Sequence, residues 1–209
     1  MTMDNFCKFV YWVLYSNDDC RYIQTCYTSD KGIVIGVLSW TGYDAINVLN
    51  DIIAEAGPFK SKLILGRPLY QQITGPYDVE RKGLDLSDHH DMNITKISSF
   101  LNIRESHRVQ DEKVIEEIKK YADITNSHGI LNVGITTFII AHYLTWVPKL
   151  SEDIIATCRL YGKDKYISLQ SLDDVLNPIF NKYGDRGRAS RKLYQKIIYY
   201  ANNSDIIKK

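Results

Sequence analysis

Along most of this chain the apolar residues recur with the 3.6-residue period of an amphipathic helix. Ala45, Ile46, Val48, Leu49, Ile52 and Ile53 fall on one such face, which Gly57-Pro58 ends. Lys60 to Ile73 reads as a second helix, either broken by Pro68 or starting after it. Ile94, Ile97, Phe100 and Leu101 set the next helical face, and Val109, Val114, Ile118 and Tyr121 set another. Gly134 to Val147 is apolar nearly all round, as in a helix at the buried centre of a bundle. Ser151, followed by Glu152 and Asp153, has the pattern of an N-cap with acids in the first turn. Leu193, Tyr194, Ile197, Ile198 and Ala201 mark a final amphipathic helix.

The period differs in one early region. Tyr22 to Tyr27 and Ile33 to Leu38 are two short β-like runs punctuated by Ser29-Asp30-Lys31-Gly32, which predicts a hairpin. Phe9 to Tyr15 suits a helix or a strand equally. Residues 74 to 91 carry Gly75, Pro76, Gly83 and several charges and read as a long surface loop. With no repeat and no low-complexity linker, the expected architecture is one domain over residues 1–209. Its class is mainly α (α+β), a helical bundle with a small hairpin near the N-terminus.

Composition narrows the functions open to such a fold. The 26 basic and 25 acidic residues nearly cancel, so no long-range field steers the whole molecule to nucleic acid or to an anionic membrane. No stretch approaches the roughly 20 apolar residues of a membrane span. The apolar run from Phe9 is short, and Asp4 precedes it, so it does not read as a signal peptide; a cytoplasmic location is expected. Cys7, Cys20, Cys26 and Cys158 match no zinc spacing, and a chain of this size folds without disulfides, so reduced thiols are expected.

Several short motifs, from Asp30-Lys31-Gly32 and Trp40-Thr41-Gly42 to Arg108-Val109-Gln110-Asp111, stand in an order that resembles a family of lysozyme-like domains of phages and Gram-positive bacteria, related in fold to chitosanases. Asp30-Lys31-Gly32, Ile35-Gly36 and Trp40-Thr41-Gly42 lead into a helix ending Val48-Leu49-Asn50. Leu65-Gly66 with Leu69-Tyr70 and Ile73, then Arg108-Val109-Gln110-Asp111 with Tyr121, follow in the same order. Gly129-Ile130 ahead of an apolar helix and Arg186 to Tyr194 complete the set. The resemblance spans roughly residues 9 to 198. It implies a lysozyme-like helical fold and glycan cleavage, with a catalytic Glu at the end of the first helix. Here that region reads Ser16-Asn17-Asp18-Asp19-Cys20-Arg21. Counting back from Trp40 puts Asp19 at the Glu position, with Asp18 as its neighbour option. The family's Gln ahead of the Trp is Ser39.

Glycosidic cleavage needs a protonated carboxyl at the leaving oxygen and usually a second carboxylate. Asp19 and Asp30 are the candidate catalytic pair, set against plain readings of a solvated helix end and a turn-former. Trp40, Tyr43, Tyr143 and Trp146 are the candidate sugar-stacking residues, although a tryptophan that only packs the hairpin reads the same way. Asp88-His89-His90-Asp91 cannot turn four adjacent side chains to one ion, so neither metal nor cofactor is expected. The basic run Arg186, Arg188, Arg191, Lys192 and Lys196 reads as a solvated helix face. The expected function is a phage-type glycan hydrolase on peptidoglycan or a chitosan-like polymer. The alternative is an inactive relative that binds a glycan, a protein or a small ligand.

Overall fold

The computed structural model describes residues 2–15, 21–86, 89–130, 132–145, 148–161 and 169–203. Among them it is mainly α with one small three-stranded antiparallel sheet, the class the apolar period indicated. The described elements run α1 (Met3–Tyr15), β1 (Thr25–Thr28), β2 (Gly32–Ile35), β3 (Trp40–Thr41), α2 (Gly42–Ala56), α3 (Pro58–Leu65) and α4 (Arg67–Thr74). They continue with α5 (His90–Leu101), α6 (Arg104–Ser127), α7 (Val133–Thr145), α8 (Pro148–Tyr161), α9 (Leu169–Lys182) and α10 (Gly184–Asn203). No described helix is long and apolar enough to cross a membrane.

Contacts divide the chain into two compact units, one from Asp18 to Val114 and one from Met1–Asn17 with Ile115–Lys209. The first, the sheet unit, holds the hairpin. Thr25 to Thr28 pair with Ile35 to Gly32, and Ile35 and Val34 pair onward with Trp40 and Thr41, giving the order β1-β2-β3. The second strand therefore stops at Ile35, short of the Leu38 that alternation indicated. Gly36 turns the chain with φ +67°, so the ladder cannot run straight on. All six apolar residues of the α2 face are buried against Ile33 and Ile35 from the sheet and Leu65, Leu69 and Ile73 from α3 and α4.

The break after α3 falls at Gly66, not at Pro68. Proline sits near the start of α4, where its missing N–H has no helical partner to lose. The loop after α4 is not wholly a surface feature: Leu84 and Leu86 are buried in the same core.

The second, helical unit packs Phe9 and Val13 of α1 with Phe138 and Ile139 of α7, Leu150 and Ile154 of α8, Leu176 and Phe180 of α9, and Tyr194 and Ile197 of α10. Phe9 to Tyr15 is thus helical, and α7 is the buried central helix. Ser151 is not an N-cap. α8 begins at Pro148, and the buried Ser151 hydroxyl donates to the Ile139 carbonyl of α7 at 2.9 Å. Gly187 lets α10 pass α9, because a β-carbon there would overlap the Phe180 carbonyl.

Candidate functional site

Gly36, Trp40 and Gln110 meet in the sheet unit around one amide. Gln110 of α6 is fully buried. Its Oε1 accepts the Val37 backbone N–H at 3.0 Å, and its Nε2 donates to the Tyr22 carbonyl at 3.1 Å and the Ser106 hydroxyl at 3.0 Å. Gly36 is the residue this arrangement requires. A β-carbon there would overlap Gln110 Oε1 and come within 2.8 Å of the Trp40 ring. The Ile-Gly pair, the Trp and the Gln, up to 75 positions apart in the chain, are therefore one interlocked contact.

The same framework fixes the chain as it enters the sheet. The Tyr22 hydroxyl donates to Asp111 Oδ1 at 2.6 Å, and its ring stacks on His107 with centroids 4.3 Å apart. The Ser98 hydroxyl donates to the Ile23 carbonyl at 3.1 Å, and the Gly36 N–H donates to the Gln24 carbonyl at 2.8 Å. Residues 22–24 are thus held from three sides. Asp18 and Asp19, just before them, lie outside the described residues, as does Trp146.

Asp30 stands at the turn between β1 and β2, exposed to solvent. A hydrogen bond from Thr28 and its own backbone hold its carboxyl below the usual carboxylate range, so it is ionised at neutral pH. The Lys82 ammonium donates to the Ser29 and Asp30 carbonyls and ties the turn to the loop after α4. Such a carboxylate can stabilise a cation or accept a proton. It is poorly set to donate one.

Of the candidate stacking residues, Trp40 and Tyr43 belong to the sheet unit and Tyr143 to the helical unit. Trp40 is half-buried and packed against the sheet-unit core, and it pairs with Ile35, while Asp30 lies beyond Gly32 at the other end of β2. The two ends of β2, Gly32 and Ile35, are roughly 10 Å apart along the strand. Tyr43 projects into solvent from the first turn of α2, edge-on to Tyr77 at 5.3 Å, and offers an aromatic surface. Tyr143 belongs to the helical unit, where it stacks flat on Tyr121 at 4.5 Å. Burial pushes its hydroxyl above the ordinary tyrosine value.

Gln110 and Asp111 entered the sequence reading only as part of a motif, and His107 not at all. One signal was there. Gln110 and Ser106 stand four and eight positions before Val114, on the helical stripe that is otherwise apolar. A polar residue in phase with a buried stripe must find partners, and these two find each other.

Elsewhere the chemistry is sparse. Among the described residues no group of three or more His, Cys, Asp or Glu is placed to hold a metal ion. His90 Nδ1 lies 3.3 Å from Asp91 Oδ1, and Asp88 is outside the described residues. Cys7, Cys26 and Cys158 are free thiols, with Cys158 pushed up to about 11 by burial; Cys20 is outside the described residues. In α10, Arg188 pairs with Asp185, and Lys196 donates to the Val13 carbonyl at 3.1 Å. An open pocket of about 290 Å³ in the helical unit, between Met3, Phe6, Ala122, Asn126, Val133 and Thr136, has no ionisable side chain in its lining.

No protein-family model, curated protein or solved structure matches the chain.

Proposed function

We propose that the chain is a lysozyme-like glycan hydrolase of the phage type, made in the cytoplasm of its host and cleaving a glycosidic bond in peptidoglycan or a chitosan-like polymer. The observation that carries this reading is the contact of Gly36, Trp40 and Gln110, which helps fix residues 22–24, three positions beyond Asp19 in the sequence. A general acid has to be held to within about 1 Å, and a fixed chain at residues 22–24 supports such a site. In this reading Asp19 gives its proton to the leaving glycosidic oxygen as the bond to the anomeric carbon breaks. Asp30, ionised and open to water, stabilises the resulting cation or takes a proton from the attacking water. Tyr43, backed by Tyr77, offers a face to a sugar ring.

A second reading, a relative that binds glycan without cutting it, is favoured by the packing of Trp40 into the core and its distance from Asp30. One experiment separates the two. Reducing-end release and co-sedimentation are measured on peptidoglycan sacculi and on chitosan, for wild type and Asp30→Asn, which leaves an exposed turn intact. Release by wild type that falls about 100-fold or more in Asp30→Asn supports the hydrolase. Co-sedimentation without release supports the binder, and neither on either polymer defeats both.

A further inference from the structure

Helix α3 carries a feature that the glycan reading does not use. Phe59 and Leu63 stand four residues apart on one face, 84% and 76% exposed, while Ser61 and Leu65 on the other side are buried. The Ser61 hydroxyl donates to the Gly57 carbonyl at 2.7 Å, and Pro58 opens the helix, so the projecting pair stands on a firmly seated element. Isolated exposed apolar residues need no explanation, but an adjacent aromatic and aliphatic pair on one helical face does.

The charge that the sequence carries around the pair has one sign. From Ala56 to Tyr77 the sequence contains Lys60, Lys62 and Arg67 and no acid at all, an asymmetry that the near-zero net charge conceals. Glu105 neutralises Lys60 at 2.8 Å. Lys62 shares the Phe59–Leu63 face and lies 4.8 Å over the Tyr70 ring, a contact that leaves its charge intact. Arg67 is exposed at the start of α4.

We propose that the α3 face of Phe59, Lys62 and Leu63 docks on an anionic phospholipid bilayer, the apolar pair entering the boundary between headgroups and acyl chains. Two projecting side chains fall well short of the roughly 800 Å² per partner of a stable protein interface. They form a ridge, whereas a helix-binding partner protein would have to supply the groove. A bilayer needs no groove: inserted side chains bury apolar area, and each basic side chain near an anionic leaflet adds about fivefold to partitioning.

The test is flotation of the full chain with vesicles of equimolar phosphatidylcholine and phosphatidylglycerol, and with phosphatidylcholine alone. Wild type is expected to float with the anionic vesicles, at least about tenfold better than with neutral ones, and to be released by salt near 0.5 M. Phe59→Ser with Leu63→Ser, and separately Lys62→Glu with Arg67→Glu, are expected to cut flotation at least about tenfold. Both variants alter exposed positions and should keep the wild-type circular dichroism. No flotation by wild type, equal flotation on neutral vesicles, or full flotation of either variant overturns the proposal. So does a lipid-free dimer that Phe59→Ser with Leu63→Ser abolishes, because the face would then belong to a second copy.

Discussion

Gln110 and His142 are both fully buried, one in each compact unit, and they solve the same problem differently. The sheet unit uses Gln110, whose amide oxygen and nitrogen all find partners and whose charge never changes. The helical unit uses His142 of α7, fully buried, with Nε2 2.8 Å from the Ser190 hydroxyl of α10 and Nδ1 without a hydrogen-bond partner among the described residues. Phe138 stands edge-on to its ring at 4.6 Å. Burial holds the His142 imidazole down to about 4 from its ordinary 6.5. A satisfied amide fixes a chain path at any pH. An imidazole with one free nitrogen does so only while it stays neutral.

The largest expected effect tests the amide. Gly36→Ala places a β-carbon on Gln110 Oε1 at a left-handed backbone position, and a loss of about 3 kcal/mol or more is expected from denaturant unfolding. Gln110→Leu strips partners from the Val37 N–H and the Tyr22 carbonyl together, for a loss of about 2–4 kcal/mol. Both losses should be the same at pH 5 and pH 7.5. A loss that appears only in acid would dissolve the contrast between the units.

The imidazole comes next. The unfolded chain binds a proton on His142 near 6.5 and the folded chain only near 4, so the unfolded state holds more protons between those values. The contribution is fully present above pH 6.5 and fades as pH falls toward 4, by about 3 kcal/mol in all. Thermal unfolding followed across that window should show the slope in wild type and its loss in His142→Gln. An unchanged slope in the variant would assign it to other groups. The smallest effect is local: Tyr22→Phe removes the hydrogen bond to Asp111 and should cost about 1 kcal/mol, read by the same denaturant titration.

The contrast also explains what could be read from the chain alone. The α2 face, the hairpin and the buried α7 were legible because burial leaves a period, and a period is visible without coordinates. Ser151 was misread because an N-cap serine and a serine bonding across to a neighbouring helix have the same local sequence. The α3–α4 break was misplaced because proline is harmless in a first helical turn. Of the candidate site, Asp30 is located and its ionised state fits a second carboxylate, while the spacing of Trp40 from it could not be seen before the strand register was known. Gln110 escaped a role because its partners lie 73 and 88 residues away.

The central claim is tested most directly at Asp19, by reducing-end release from peptidoglycan and chitosan with wild type, Asp19→Asn and Asp19→Glu. A general acid contributes about 10² to 10⁴-fold, so Asp19→Asn should fall by that factor while staying folded. Asp19→Glu should exceed wild type, because under the proposed function the extra methylene restores the reach of a catalytic Glu. Release by Asp19→Asn at the wild-type rate would contradict the account.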